Sequence, residues 1–301
     1  MRILHFSDVH CWAYGLDADP TFKRFLGVAN LLARRARKFP PHLAQLVMEQ
    51  IARTQADVVC FTGDISTSSL HREFASGQRL LKPVIAAAGE RFLSVPGNHD
   101  RYTHRAARCA LFEQYADGHS REFPYLRRIA GVDFLGLDST RPCFVSSRGA
   151  FPPARAEAAE ALLRARQPLS PGGALPPLVV LSHYPYALPG GKPHRWNHRL
   201  EEAPAMQRLV AEHTPALYLH GHVHERWAHR PATTPATLCV NAGSAGMKSS
   251  RREANAGFVL IDLDERSGKV QRVQALALGG AGADASVLSL PHFPAWDLNL
   301  E

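Results

Sequence analysis

The stretch Ser94-Val95-Pro96-Gly97-Asn98-His99-Asp100 constrains the fold more than any other part of the chain. Arg91 to Val95 reads as a short buried strand, and the breaker pair Pro96-Gly97 ends it and turns the chain sharply. An amide, an imidazole and a carboxylate then follow in succession. Open α/β sheets collect ligands at the carboxyl ends of their strands, so this cluster is either an ordinary turn or one piece of a site. Matching pieces elsewhere in the chain decide between the two.

Such pieces recur. The strand at 2–7 ends in Asp8-Val9-His10, where alternation along an extended chain would point Asp8 and His10 the same way and turn Val9 inward. The strand at 57–61 ends in Thr62-Gly63-Asp64, the strand at 178–181 in Ser182-His183-Tyr184-Pro185, and the strand at 216–219 in His220-Gly221-His222-Val223-His224. Helical spacing occupies the intervals near 42–54, 70–87, 103–115, 153–166 and 201–212. The first hundred residues therefore read strand, helix, strand, helix, strand, the order of a layered α/β sheet with right-handed crossovers. A strand at 131–138 pairs with 124–129, and strands near 237–240, 257–262 and 270–276 are expected to complete a second sheet. From Gly279 the chain is rich in Gly, Ala and Ser, so residues 1–278 read as one domain and 279–301 as a loosely packed tail.

Composition narrows the class. With 301 residues, 45% hydrophobic and 21% charged, the chain is globular and long enough for a full core. No run approaches the roughly 18 apolar residues of a membrane helix, and Asp8 interrupts the start too early for a signal peptide, so a cytoplasmic protein is expected. Five cysteines are widely spread without a Cys-x-x-Cys pair, which argues against a disulfide framework or a thiolate zinc site. A net charge of +8 favours an anionic partner without choosing among phosphorylated metabolite, nucleic acid and acidic lipid.

Within an insertion at about 21–39, Phe22, Phe25, Leu26, Ala29, Leu32, Ala33 and Ala36 repeat at helical spacing, and Lys23, Arg24, Arg34, Arg35, Arg37 and Lys38 occupy the other face. This reads either as a solvated basic face or as an amphipathic element over anionic lipid or substrate. The loop 187–198, with Lys192, His194 and Arg195, is either an anion-contacting lid or decoration.

Taken together, the strand ends supply Asp8, His10, Asp64, Asn98, His183, His222 and His224 on one rim. Imidazole, carboxylate and carbonyl donors suit Mn, Fe, Zn or Mg, and a shared carboxylate can hold two such ions roughly 3.5–4 Å apart. Only two of these donors are anionic, so two divalent cations would stay undercompensated and attract a phosphate.

The order Asp-x-His, Gly-Asp, Gly-Asn-His-Asp, a lone His and Gly-His-x-His resembles the calcineurin-like metallophosphoesterases across residues 8–224. That resemblance implies an α/β fold, a four-layer α/β/β/α sandwich of two packed mixed β-sheets flanked by helices. It implies that Asp8, His10 and His224 hold one metal, that Asn98, His183 and His222 hold the other, and that Asp64 bridges both. The expected cofactors are two divalent ions, Mn or Fe first, with Zn and Mg also accepted by this donor set. His99 is then not a ligand. Paired with Asp100 or another acid, it would stabilise phosphoryl oxygens or protonate the leaving alkoxide while a hydroxide held between the metals attacks phosphorus in line.

Arg101, Lys192, His194 and Arg195 complete the expected site as substrate contacts. The implied activity is hydrolysis of a phosphodiester, pyrophosphate or phosphomonoester. Similar proteins act on cyclic nucleotides or on the pyrophosphate of a nucleotide-linked diacylated sugar. The basic insertion favours a lipid-linked substrate and peripheral contact with an anionic membrane, and nucleic acid is disfavoured. A non-catalytic metal-binding scaffold is the alternative, against which stands the filling of every expected ligand position.

Overall fold

The computed structural model describes residues 1–14, 35–115, 122–143, 146–279 and 286–289. The basic segment expected to be helical therefore lies outside the described residues up to position 34, and only its end, α1 (Ala36–Lys38), is seen.

Short, wholly apolar runs build the centre. Val58–Phe61 and Leu178–Leu181 have every residue buried, as strands covered on both faces must. In chain order the first sheet takes β1 (Arg2–Phe6), β2 (Val58–Phe61) and β3 (Phe92–Ser94), and the second takes β4 (Tyr125–Ile129), β5 (Val132–Gly136), β6 (Leu178–Leu181), β7 (Leu217–His220), β8 (Arg226–His229) and β9 (Leu238–Ala242). The chain then returns to the first sheet as β10 (Gly257–Leu263), β11 (Val270–Gly279) and β12 (Ser286–Ser289). The two orders are β12-β11-β10-β1-β2-β3 and β4-β5-β6-β7-β9-β8. β1, β2 and β3 run parallel, as do β5, β6, β7 and β9, whereas β10 lies antiparallel to β1.

Two sequence expectations change here. The strands at 257 and 270 join the first sheet, with Leu4 opposite Leu260, and do not complete the second. A strand pattern fixes which residues face a core, not which distant edge they pair with. β8 fills the second sheet's edge instead, and β12 adds an edge strand from within the segment expected to be a tail.

The layers follow from three packed interfaces. Ile3, Val58 and Leu93 of the first sheet meet Phe134, Val179 and Leu217 of the second between the sheets. On the first sheet's outer side, Leu4, Phe6 and Phe61 pack against α2 (Pro41–Arg53) and α3 (His71–Ala88) through Val47, Met48, Phe74 and Leu81. On the far side, Leu135 and Val180 pack against α6 (Pro153–Arg164) and α7 (Ala203–His213) through Leu163, Met206 and Val210. Between these, α4 (His104–Arg108) and α5 (Leu111–Tyr115) replace the single helix expected, broken where Ala110 takes φ 49°. The observed order is the α/β/β/α sandwich. Among the described residues no helix is long and apolar enough to cross a membrane, and the cysteines are free thiols.

Glu73 fastens the start of α3 beneath the rim. Its buried carboxylate accepts from the backbone N–H of Ser68 (2.8 Å), Leu70 (3.1 Å), Thr67 (3.3 Å) and Ala13 (3.3 Å), and from Ser68 Oγ (3.0 Å). Burial outweighs these donors and pushes the carboxyl up to about 7. The folded state thus keeps a proton that the unfolded chain loses above its ordinary carboxyl range, so stability falls as pH rises from about 4.5 to about 7. Glu73→Gln should remove about 3 kcal/mol of that fall, by the free-energy equivalent of a pKa unit. Urea unfolding of both proteins at pH 4.5 and pH 7.5 checks it: parallel pH dependences would be the contrary result.

Candidate metal centre

Every expected donor lies just beyond the carboxyl end of a parallel strand: Asp8 and His10 after β1, Asp64 after β2, Asn98 after β3, His183 after β6, His222 and His224 after β7. The two sheets therefore present their loops at one rim, and the side chains meet there. His10 Nε2 is 3.5 Å from Asp8 Oδ1 and 3.7 Å from Asp64 Oδ2, and His224 Nε2 is 3.0 Å from Asp8 Oδ1. On the other side, His183 Nε2 is 3.5 Å from Asp64 Oδ2 and 3.1 Å from Asn98 Oδ1, and His222 Nδ1 is 3.0 Å from the same Asn98 oxygen.

The backbone is held in unusual shapes to achieve this. Asp8 (φ 55°), His10 (56°), Asp64 (61°), His222 (71°) and His224 (42°) all occupy the left-handed region, which costs about 1–2 kcal/mol for a residue with a Cβ. Asp8 and His10 do share the site and Val9 is buried, as the sequence suggests, but two left-handed residues bring this about, not extended alternation. Strain concentrated at one rim is characteristic of functional loops. Close approach of loops is a second local requirement: a Cβ on Gly97 would strike the Asp64 carboxylate, and one on Gly63 would strike the Gly97 backbone. Only glycine fits at this contact.

The arrangement of ring nitrogens carries the chemistry. His183 donates from Nδ1 to Thr62 O (2.7 Å), and His222 donates from Nε2 to His198 O (2.9 Å). Their other nitrogens are then lone pairs, and both face Asn98 Oδ1, itself an acceptor. At the first position, the Nε2 atoms of His10 and His224 face one another at 3.0 Å beside the Asp8 carboxylate. Ring lone pairs turned inward, as those of His183 and His222 are, suit a cation, and imidazoles fixed through their outer N–H by carbonyls are how proteins orient metal ligands, whereas at the first position a ring N–H can be donated to Asp8.

Electrostatics agree. Burial pushes His10 down to about 3 and lowers His183 and His222, keeping these rings in the neutral form that coordinates. Burial opposes ionisation of Asp8, but the His224 and His10 imidazoles outweigh it and hold the carboxyl well below the carboxylate range. Asp64 is pushed well above it by burial and by the neighbouring Asp8 and Asp100 charges, the condition a bound cation would relieve. Asp8, His10 and His224 form one group of donors that could hold an ion, and Asp8, Asp64 and His183 another.

The profile of the calcineurin-like phosphoesterases matches residues 1–226. The chain belongs to that family. It is accordingly a metal-dependent phosphohydrolase, since the family's phosphoric ester hydrolases work with two metals. No curated protein matches its sequence. Among solved structures it is similar to a dimetal phosphatase from Danio rerio, at 14% identity with a TM-score of 0.55, covering 96% of this chain and 98% of that one. It is also similar to a purple acid phosphatase from yellow lupin (Lupinus luteus) seeds, at 14% identity with a TM-score of 0.57, covering 96% of this chain and 52% of that one. The chain thus spans about half the length of the lupin enzyme. At these identities the likeness is one of fold.

The other expected residues differ. His99 reaches the rim: its backbone N–H donates to Asp64 Oδ1 (2.7 Å), its Nδ1 donates to Thr67 O (2.5 Å), and Tyr102 stacks on the ring at 5.7 Å. Its expected pairing with Asp100 is not formed. The Asp100 carboxylate accepts instead from the N–H groups of Asp64 (2.8 Å), Gly97 (3.0 Å), Ser66 (3.0 Å) and Ile65 (3.3 Å), and from Ser66 Oγ (3.0 Å). It is a clamp between two ligand loops, fully buried, and not a catalytic acid. Arg101 likewise is no substrate contact: it is buried against Glu113, with both carboxylate oxygens engaged, and lies 3.4 Å from Asp138. Lys192 and Arg195 are exposed and His194 is half-buried, and the loop they share meets the centre through the His198 carbonyl. The turn 241–244 supports the site, with Ser244 Oγ donating to Asp8 O (2.6 Å).

Sequence reasoning missed Phe39, whose ring lies 4.5 Å from that of His10 and 5.6 Å from that of His224. Arg35 reads as one of a basic run, solvated or over anionic lipid or substrate, and His198 as part of the loop 187–198, without a place in the centre for either; for Phe39, Pro40-Pro41 is the only signal, and it marks a boundary, not a site.

Asn at position 100 would keep one acceptor oxygen and turn an amide N–H₂ toward backbone donors. Asp100→Asn should lose about 1–3 kcal/mol of stability and bind metal about 10–100-fold more weakly, as expected when a group supporting ligands is changed. Thermal unfolding and Mn titration measure both, and wild-type metal affinity in the variant would show that the clamp is unnecessary.

Proposed function

We propose that this chain hydrolyses a P–O bond of a phosphodiester, pyrophosphate or phosphomonoester at a centre in which Asp8, His10 and His224 hold one divalent cation, Asn98, His183 and His222 a second, and Asp64 spans both. The observation that carries this reading is the convergence of the unprotonated ring nitrogens of His183 and His222 on the Asn98 side-chain amide at 3.1 and 3.0 Å, a donor set that fits a cation. When bound, such ions supply Lewis acidity toward a phosphoryl oxygen and make water acidic enough to ionise near neutral pH. Mn and Fe suit the mixture of imidazole, carboxylate and carbonyl best, and Zn and Mg also fit.

The chain's own residues do the rest. Asp64 and Asp8 contribute two negative charges against four positive ones, so the centre keeps a net attraction for a phosphate. His99 has its Nδ1–H fixed on the Thr67 carbonyl, which aims Nε2 into the cleft as the atom that takes up a proton and passes it to the leaving oxygen. Phe39 walls the histidine side of the centre and excludes water from it, strengthening the charge interactions within. For the substrate we favour a cyclic nucleotide or a lipid-linked nucleotide pyrophosphate. The lipid-linked reading rests on the basic insertion and brings with it peripheral contact with an anionic membrane from the cytoplasmic side.

A metal-supplemented assay with a chromogenic bis-phosphodiester tests the mechanism. Chelation should abolish turnover and added Mn restore it, Asp64→Ala should lose bound metal and activity together, and His99→Ala should retain metal while kcat falls about 10²–10⁴-fold. Variants that hydrolyse the ester as fast as wild type would refute the assignment.

A further inference from the structure

Arg35 belongs to the run that reads from sequence either as a solvated basic face or as an element over anionic lipid or substrate, and its guanidinium lies in the cleft. Nη2 is 2.8 Å from His99 Nε2 and Nη1 is 3.2 Å from His99 Nδ1, so the group spans the ring beside the metal centre. Its place is set by packing. The Phe39 N–H donates to Arg35 O (2.9 Å), Phe39 is 3% exposed and clusters with Met247, Ala254 and Trp12, Trp12 Nε1 donates to Phe39 O (2.8 Å), and the Lys248 N–H donates to Lys38 O (2.7 Å). The short turn carrying Arg35 is therefore pinned on both sides. Arg35 itself is half-buried, whereas Arg37 and Lys38 are exposed.

Arg35 also lacks a counter-charge. Among the described residues the one hydrogen bond of its guanidinium is from Nη2 to His99 Nε2, the acceptor nitrogen of a ring whose Nδ1 donates elsewhere, and no carboxylate pairs with it. Asp64, Glu73 and Asp8 act on it only at a distance; the two aspartates are already claimed by the donors of the centre, and Glu73 by the N–H groups of Ala13, Thr67, Ser68 and Leu70. A planar guanidinium with free N–H groups, fixed beside a site that is itself cationic when loaded, matches an anion with oxygens in a plane.

We infer that Arg35 is a substrate-contacting residue that grips a phosphoryl oxygen beside His99 and makes the site select substrates with at least two negative charges on phosphate, a terminal phosphomonoester or a pyrophosphate, over a singly charged diester. This rests on the hydrolase reading above and, of the two substrates favoured there, keeps the pyrophosphate and sets aside the cyclic nucleotide. Three uncompensated positive charges, two from the loaded centre and one from Arg35, are matched better by a doubly charged phosphate than by a cyclic or linear diester. On engagement the guanidinium moves its hydrogen bond from His99 Nε2 to the phosphoryl oxygen.

The test compares Mn-loaded wild type, Arg35→Gln, Arg35→Lys and Arg37→Gln on p-nitrophenyl phosphate and bis(p-nitrophenyl) phosphate, with inorganic phosphate binding followed calorimetrically. Arg35→Gln should lower the monoester-to-diester ratio of kcat/KM and weaken phosphate binding, each about 10–100-fold, the size of a charge-assisted hydrogen bond. Arg35→Lys should restore part of both, and Arg37→Gln should change neither. An unchanged ratio with unchanged phosphate affinity in a folded Arg35→Gln protein would overturn the inference. If wild type hydrolyses neither ester, the hydrolase reading fails, and phosphate affinity alone still decides the role of Arg35.

Discussion

A single buried carboxylate holds two of the three ligand loops of the first sheet in register. Asp100 gathers backbone N–H groups from 64–66 and from 97, and each of those loops carries a donor of the centre, Asp64 in one and Asn98 in the other. The glycines at 63 and 97 let the loops approach closely enough for one side chain to reach both. Fix that contact, and Asp64 is aimed between the imidazoles of both sheets. Four otherwise unsatisfied N–H groups at the mouth of a polar cleft would be costly, so this carboxylate secures the loops and the positions of the donors together.

The second sheet depends on the first through the same rim. His183 is oriented by the Thr62 carbonyl after β2, and the His222 backbone donates to Asp8 after β1. Donors from 8 to 224 thus meet because the parallel strands of two packed sheets end at one level, and the shared core of Ile3, Val58, Phe134 and Val179 keeps those ends aligned. The centre is a property of the whole sandwich and not of either half.

Much of this was legible in the sequence. Strands buried on both faces leave uninterrupted apolar runs, and the polar residue after each run marks the rim, so all the candidate donors and the parallel order of β1 to β3 could be read directly. What failed was direction and partnership. Residue type shows that Asp100 is an acid and Arg101 a base, but whether they face the cleft or the interior depends on loops that only the folded chain defines. β10 pairs with β1 across more than 250 residues, a choice periodicity cannot encode. β8, as Arg-Trp-Ala-His, carries too much polarity to read as a strand, although all four residues are buried. Arg35 was hidden among Arg34, Arg37 and Lys38 because residue type alone does not tell which of several neighbouring cations faces a cleft.

The left-handed residues at this rim have an evolutionary corollary. At Asp8, His10, Asp64, His222 and His224 a glycine would relax the chain while deleting a donor. Selection for heat tolerance alone would therefore erode this cleft before it touched the core, and a library screened for survival without turnover would drift toward folded but inert descendants.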